Sequence, residues 1–200
     1  RSLGQAQRNA QDGISLIQVY EGGTNEINNM VMRIRELAMQ SASDTIGPRE
    51  RGMVNNEVTQ LKSEINRVAR TTKYAGRELL SGGSIQMDFQ VGINNDPEVD
   101  RISFNPGDTN LTLAALELEG VDVAEKEVAQ EYLDKLDSAL TKVNDVRARV
   151  GSAQNRLNTT VSATSIFQEN LIAAKSRIRD ADIAAESANY ARETILRKAG

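Results

Sequence analysis

Histidine and cysteine are both absent from this 200-residue chain, so any chemistry falls to carboxylates, guanidinium groups, amines and hydroxyls. Without imidazole or thiol there is no Ser-His or Cys-His nucleophile, no imidazole zinc site, no disulfide and no thiol redox step. Glu117, Glu119, Asp122, Glu125 and Glu127 form an acidic run. Its spacing lacks the glycine-centred pattern of a calcium loop, and it suits the start of a helix and solubility instead. In RIRDAD, Arg177 with Asp180 and Arg179 with Asp182 stand three apart. Such pairs stabilise a helix by about 0.2–0.5 kcal/mol each. In MRIRELAMQ, Arg33, Ile34, Arg35, Glu36 and Leu37 are consecutive. Arg33 and Leu37 are four apart and share a face beside the apolar stripe. A guanidinium beside an exposed leucine has the make-up of a protein-contact hot spot; the competing reading is a solvated helix face.

Other patterns carry less. Asn110-Leu-Thr112 and Asn158-Thr-Thr160 match the N-glycosylation acceptor, but the second falls mid-helix on an apolar row. Gly22-Gly23 and Gly82-Gly83 neither follow a strand nor open a helix, so they are not phosphate loops. No cofactor or metal site is expected, and the carboxylate pairs lie on helix surfaces without a pocket signal. The chain is not expected to be an enzyme.

The elements behind these residues are mostly helical. Hydrophobic residues make up 39% and aromatics 4% with no Trp, which favours a thin bundle over a thick core. Net charge is −4 with signs interspersed, so there is no basic patch for nucleic acid or an anionic membrane. No apolar run reaches the ~18 residues of a membrane span. Leu3, Ala10, Ile17, Thr24, Val31 and Ala38 recur by sevens, as do Ala6, Gly13, Tyr20, Ile27, Ile34 and Ser41. These rows predict a helix over 1–42, with bending or local opening near Gly22. Asp44 and Thr45 are capping-type residues, and Pro48 suits the first turn of a helix over 48–71. Ile85, Met87, Phe89, Val91 and Ile93 switch the period to two. With Asn94-Asn95-Asp96-Pro97 as a turn and Val99 to Phe104 returning, they predict a β-hairpin over 84–104. Residues 111–120 form a connector of unassigned structure.

The longest seam comes last. Ala129, Leu136, Val143, Val150, Leu157, Thr164, Leu171 and Ile178 form one row, with Tyr132, Ala139, Val146, Ala153, Thr160, Phe167 and Ala174 beside it. A helix over 123–178 would be roughly 80 Å long, packed lengthwise on other helices through Gly151 without a phase slip. After Ile178 the stripe turns poorer, and 182–200 stay helix-prone while burying little.

Two stretches carry a resemblance. RNAQDGISLIQVYEGGTNEINNMVMRIRELAMQSAS (Arg8 to Ser43) resembles the N-terminal conserved region of bacterial flagellin, and NRLNTTVSATSIFQENLIAAKSRIRDADIAAE (Asn155 to Glu186) resembles its C-terminal conserved region. DGISLIQ, NEINNMVMRIRELAMQSA and ENLIAAKSRIRDADIAAE are long and specific, and they stand in the family's order. The resemblance implies a mainly α fold with a small β-hairpin, an elongated bundle of two N-terminal helices and one long C-terminal helix. It implies a rod domain over 1–178 and the start of the filament-core segment over 179–200. The chain opens at Arg1-Ser2-Leu3 inside the family's N-terminal region and ends at Gly200 inside the C-terminal one. Self-polymerisation is therefore expected to need the flanking amphipathic segments. The short middle leaves no room for a large outer domain.

The resemblance also implies a role. The chain would be a structural subunit of the flagellar filament, extracellular, assembling with copies of itself by lateral and axial helix packing for motility. Its other partners would be flagellar export and assembly proteins and vertebrate Toll-like receptor 5. On the family's receptor motif, the arginine falls on Arg33, the leucine on Leu37 and the glutamate on Glu57, with Ile34 and Glu36 in the same stretch. The same face would contact neighbouring subunits. RIRDAD would serve between subunits near the core helices. Two other readings stand beside this one: a flagellin-like junction protein at the hook end of the filament, and a helical adaptor. A zinc protease insertion, known in some flagellins, is excluded by the missing histidine and the short middle.

Overall fold

The computed structural model describes residues 2–83, 86–179 and 183–199. Helix α1 spans Ser2–Ser41 and α2 spans Pro48–Thr71. Two short antiparallel pairs follow: β1 (Lys73–Tyr74) with β2 (Arg77–Glu78), and β3 (Met87–Gln90) with β4 (Arg101–Phe104). A 3-10 turn covers Pro106–Thr109, α3 runs Lys126–Arg179 and α4 runs Ile183–Ala199. The chain divides into two compact units, Arg1–Val161 and Ser162–Gly200.

In the first unit α1 lies at the centre. Both predicted rows of α1 are buried except Leu3, together with Leu16, Met30 and Leu37. Helix α2 covers one side with Val54, Val58 and Ile65, and α3 contributes Ala129, Leu136, Val143, Val150 and Leu157 from its predicted row. No opening marks Gly22-Gly23; α1 is one unbroken helix from Ser2 to Ser41. Gly22 faces open space, whereas a Cβ on Gly23 would lie 2.7 Å from the Thr72 hydroxyl and 2.8 Å from a Leu80 methyl. The second glycine is a close-approach site where the β1–β2 segment presses on α1, and its helix-propensity cost is accepted for that contact.

Several ends differ from expectation. Asp44 and Thr45 do not cap α2, whose N-cap is Gly47 with Pro48 at the first turn. Asp44 instead pairs with Lys126 at 2.7 Å, and that ammonium holds its carboxyl below the usual range. The C-terminus of α1 is satisfied from α2: Arg51 donates to the Ser41 and Ser43 carbonyls, both at 2.9 Å. The second strand starts at Arg101, not Val99, because Asp100 is engaged as a loop cap. Its buried carboxylate accepts from the Asn94 and Asp96 amides at 3.3 and 3.1 Å. Met87 and Val91 face inward and Phe89 packs on Gly13, but Ile93 is exposed. Ile85 lies outside the described residues.

The unassigned connector is a core element without regular structure. Leu111, Leu113, Leu116, Leu118, Val121 and Val123 are all buried. Their backbone is tied down by side chains. Asn66 accepts from the Leu113 amide at 3.5 Å, Asn55 accepts from Val123 at 3.0 Å, and Lys62 donates to the Glu119 and Val121 carbonyls. Burial lowers the Lys62 pKa against the raising influence of Asp122 and Glu119. The β1–β2 pair, also unread in the sequence, turns through Ala75 (φ 48°) and Gly76 (φ 79°).

Tyr20 joins these layers. It is fully buried, its ring meets Phe104 edge-on at 5.1 Å, its hydroxyl donates to the Leu79 carbonyl, and that oxygen lies 2.5 Å from the Thr109 hydroxyl.

The second unit behaves differently. The seam keeps its phase, yet Phe167 and Leu171 are exposed, as are Ile166 and Ile172. In α4, Tyr190, Ile195 and Leu196 are exposed. Side chains at 178–185, including Ile178, Arg179, Asp180 and Asp182 of the RIRDAD reading, lie outside the described residues.

Gly23→Ala should destabilise by about 1–3 kcal/mol through overpacking, while Gly22→Ala should stabilise by roughly 0.5–1 kcal/mol through helix propensity. Urea titrations followed by circular dichroism would rank the two. Burial also pushes the Tyr20 phenol up to about 12 from its ordinary 10. The unfolded chain then loses that proton first, so stability is complete below about pH 10 and falls as pH rises towards 12. Tyr20→Phe should cost about 1–3 kcal/mol at neutral pH by leaving the Leu79 carbonyl without its donor. It should also remove this phenol's share of the alkaline loss, roughly 3 kcal/mol, measured as the stability difference between pH 9 and pH 12.

Candidate interaction site

The MRIRELAMQ stretch sits where the outer face of α1 meets both neighbouring helices. Arg33 lies on the α2 side. Its Nε donates to Glu57 Oε1 at 2.9 Å and its Nη1 to Glu36 Oε2 at 3.1 Å. All three side chains are about half exposed or more, at 50% for Arg33, 45% for Glu57 and 64% for Glu36. The hydrogen bonds to Glu57 and then Glu36 raise the Arg33 pKa, so this cation is permanent. Arg35 lies on the α3 side and pairs with Asp137 at 2.5 Å. That bond, with the charge of Arg35, holds the Asp137 carboxyl below its usual range.

The outer face of α1 is thus pinned at both flanks. Between the pins stand Met32 and Met39, 45% and 53% exposed, with Met53 of α2 at 58%. A shallow groove lined by Met32, Arg35, Glu36, Asp137 and Leu140 runs between α1 and α3. The face combines fixed charge with flexible thioethers, a mixture suited to contact with another protein.

The structure brings Arg33, Glu36 and Glu57 together and separates them from the other two candidate residues. Leu37 and Ile34 are buried at 2% and 0% exposure, inside the core rather than beside it. The spacing argument placed Leu37 with Arg33 because four residues advance the helix by about 40° beyond a full turn. On α1 that step carries the side chain from the exposed strip of Arg33, Glu36 and Gln40 into the buried side of the helix. The apolar component of the face is supplied by methionines instead. Arg35 and Asp137 were missed as a pair. They are 102 residues apart, and no local signal joins them.

Residues 1–84 match the bacterial flagellin N-terminal helical region, and residues 133–200 match the bacterial flagellin C-terminal helical region. The flagellin of Halalkalibacterium halodurans is 38% identical over 199 residues, covering all of this chain and 72% of the relative. The flagellar filament 33 kDa core protein of Treponema phagedenis is 37% identical over 216 residues, covering all of this chain and 74% of the relative. The crystal structure of Bacillus cereus flagellin has a TM-score of 0.69 at 28% identity, covering 78% of this chain and 88% of that one. A putative flagellar hook-associated protein from Vibrio parahaemolyticus has the same TM-score of 0.69 at 14% identity, a likeness of fold alone. The chain belongs to the bacterial flagellin family, a family of structural subunits of the flagellar filament.

Burial predicts opposite consequences for residues four apart. Leu37→Ala should cost about 2–5 kcal/mol of stability. Arg33→Ala and Glu57→Ala should each leave stability nearly unchanged, because their pair is exposed. Denaturant midpoints of the three variants check this.

Proposed function

We propose that this chain builds a flagellar filament by packing against copies of itself, and that the Arg33 face is read by Toll-like receptor 5. The observation that carries the assembly reading is the exposed apolar seam. Phe167, Leu171 and Ile172 keep helical spacing on α3, and Tyr190, Ile195 and Leu196 follow on α4, all open to solvent. Apolar side chains in such number are covered in an assembled state. In this proposal residues 1–178 act as the rod domain, and residues 179–200 begin the segment that lines the filament core. Export and assembly proteins of the flagellum are its transient partners, and its place is outside the cell.

The receptor reading is supported by the Arg33–Glu57–Glu36 constellation. A guanidinium already oriented by two carboxylates loses little freedom when a partner's acceptor approaches its remaining donors. Met32 and Met39 supply adaptable apolar contact. Leu37 and Ile34 take part from beneath, by fixing the helix that presents Arg33.

Two measurements test the parts separately. The chain extended at both ends with the terminal segments of the Halalkalibacterium halodurans flagellin should restore filaments, seen by electron microscopy, to a bacterium lacking its own flagellin. Export without filaments would sink the assembly reading. For the receptor, Arg33→Ala and Glu57→Ala should each weaken capture by the receptor's extracellular portion by about 1–2 kcal/mol, with helical circular dichroism unchanged. Full capture by both variants would remove this site.

A further inference from the structure

The chain has five methionines and no cysteine, so thioethers are its only sulfur and its readiest target for an oxidant. They fall into two classes. Met30 and Met87 are buried, at 9% and 8% exposure, whereas Met32, Met39 and Met53 are open to solvent. The open ones gather about the Arg33–Glu57 pair. Met32 and Met39 stand on α1, and Met53 stands four residues before Glu57 on the same flank of α2.

Two of the exposed sulfurs already accept hydrogen bonds. Asn28, Met32, Arg35 and Met39 are spaced by four, three and four, which sets them on one strip of α1 on the α3 side. Asn28 Nδ2 donates to the Met32 sulfur at 3.6 Å, and Arg35 Nη1 donates to the Met39 sulfur at 3.2 Å. Asn28 is buried, and the thioether is the only side-chain partner of its amide among the described residues. Arg35 is fixed by Asp137 through Nε and Nη2, which leaves Nη1 to the sulfur. The Met53 sulfur accepts no hydrogen bond among the described residues. Thioether sulfur is a weak acceptor, and an amide and a guanidinium both bond better to oxygen. The groove of about 370 Å³ lined by Met32, Arg35 and Asp137 gives a small solute access to this strip.

We propose that Met32 and Met39 form a reversible oxidation site whose sulfoxides are held by Asn28 and Arg35, so that hydrogen peroxide turns this face from apolar to polar without unfolding the chain. A sulfur lone pair attacks one peroxide oxygen. The S–O bond forms as the O–O bond breaks, and sulfur gives up two electrons. The hydroxide that leaves takes the proton from the transferred oxygen and departs as water. The new oxygen is the stronger acceptor that both donors lack. Reversal needs an external dithiol, because the chain has no thiol of its own: two thiols become a disulfide and the sulfoxide oxygen leaves as water. Met53 oxidises too, but with no donor its sulfoxide stays mobile. A partner that buries the thioethers would have to desolvate sulfoxides instead, so its contact weakens. That last consequence rests on the receptor reading of the Arg33 face; the oxidation site does not.

Limited peroxide treatment of the folded 200-residue chain, mapped by peptide mass spectrometry, should oxidise Met32, Met39 and Met53 at least about tenfold faster than Met30 and Met87. Conversion of the exposed methionines should move the urea midpoint by less than about 0.3 M. With the methionine methyls carbon-13 labelled, oxidation should order those of Met32 and Met39 on the ps–ns scale and leave that of Met53 mobile. Asn28→Ala should free the Met32 sulfoxide alone and Arg35→Ala that of Met39 alone, with helical circular dichroism unchanged. Methionine sulfoxide reductases acting on both epimers should restore the reduced spectrum. Equal oxidation of Met30 or Met87, a larger midpoint shift, equally mobile sulfoxides in every variant, or failure of the reductases would each overturn the proposal. Capture by the receptor's extracellular portion should fall at least about fivefold after peroxide, and Met32→Leu with Met39→Leu should abolish that fall. Capture that peroxide leaves unchanged would overturn the change of surface. No capture even before oxidation would sink the receptor reading, and the oxidation site would then be decided by mapping and methyl mobility alone.

Discussion

The burial of one side of α1 along its length, from Ala6 to Ser41, is the constraint on which the rest of the first unit depends. A helix of 40 residues with two apolar rows and additional Leu and Met beside them cannot be covered by one neighbour. It needs α2 on one side, α3 on another, the β3 strand over Gly13, and the β1–β2 segment against Gly23. Each covering element is itself too thin to hold a core alone, as a chain with 4% aromatics requires. Tyr20 shows the consequence in one side chain. It spends its ring on β4 and its hydroxyl on the Leu79 carbonyl, so the helix and the non-helical segments form cooperatively.

With the interior of α1 given over to packing, contact chemistry is confined to the strip that remains outside. The pairs that border it, Arg33 with Glu57 and Arg35 with Asp137, are solvent-exposed, and such pairs contribute little to stability. Their effect is orientation. They hold two cations at fixed places on a narrow surface, with carboxylates already accepting from them. That suits a protein whose neighbours must be met in one register. The same economy governs the connector at 111–123: lacking room for another helix, the chain buries leucines from an irregular strap and satisfies its backbone with Asn55, Lys62 and Asn66.

The apolar periodicity made the helices legible to within a few residues, and the change of period at Met87 to Val91 marked the hairpin. Legibility ended where function of a residue depended on a partner far along the chain. Asp44 looked like a helix cap and is instead a partner of Lys126. Gly23 looked like a weak point and is a contact. Leu37 looked like a surface anchor and lies in the core, because a four-residue spacing fixes angle around a helix but not how far the neighbouring elements wrap it. The β1–β2 pair was unreadable because two-residue strands have no period to detect.

By itself the sequence determined where the helices run, which rows of them are apolar, the absence of imidazole and thiol chemistry, and membership of a filament-forming family through motifs at both ends. Those properties are local: they follow from residue type and spacing along one element. Tertiary structure alone decided that Arg33 is held by Glu57, that Arg35 reaches Asp137, that Leu37 is covered, and that the seam of α3 is buried to Leu157 but open at Phe167 and Leu171. These depend on where separate elements stop and how closely they approach, and a spacing along one helix carries no record of the surface that meets it.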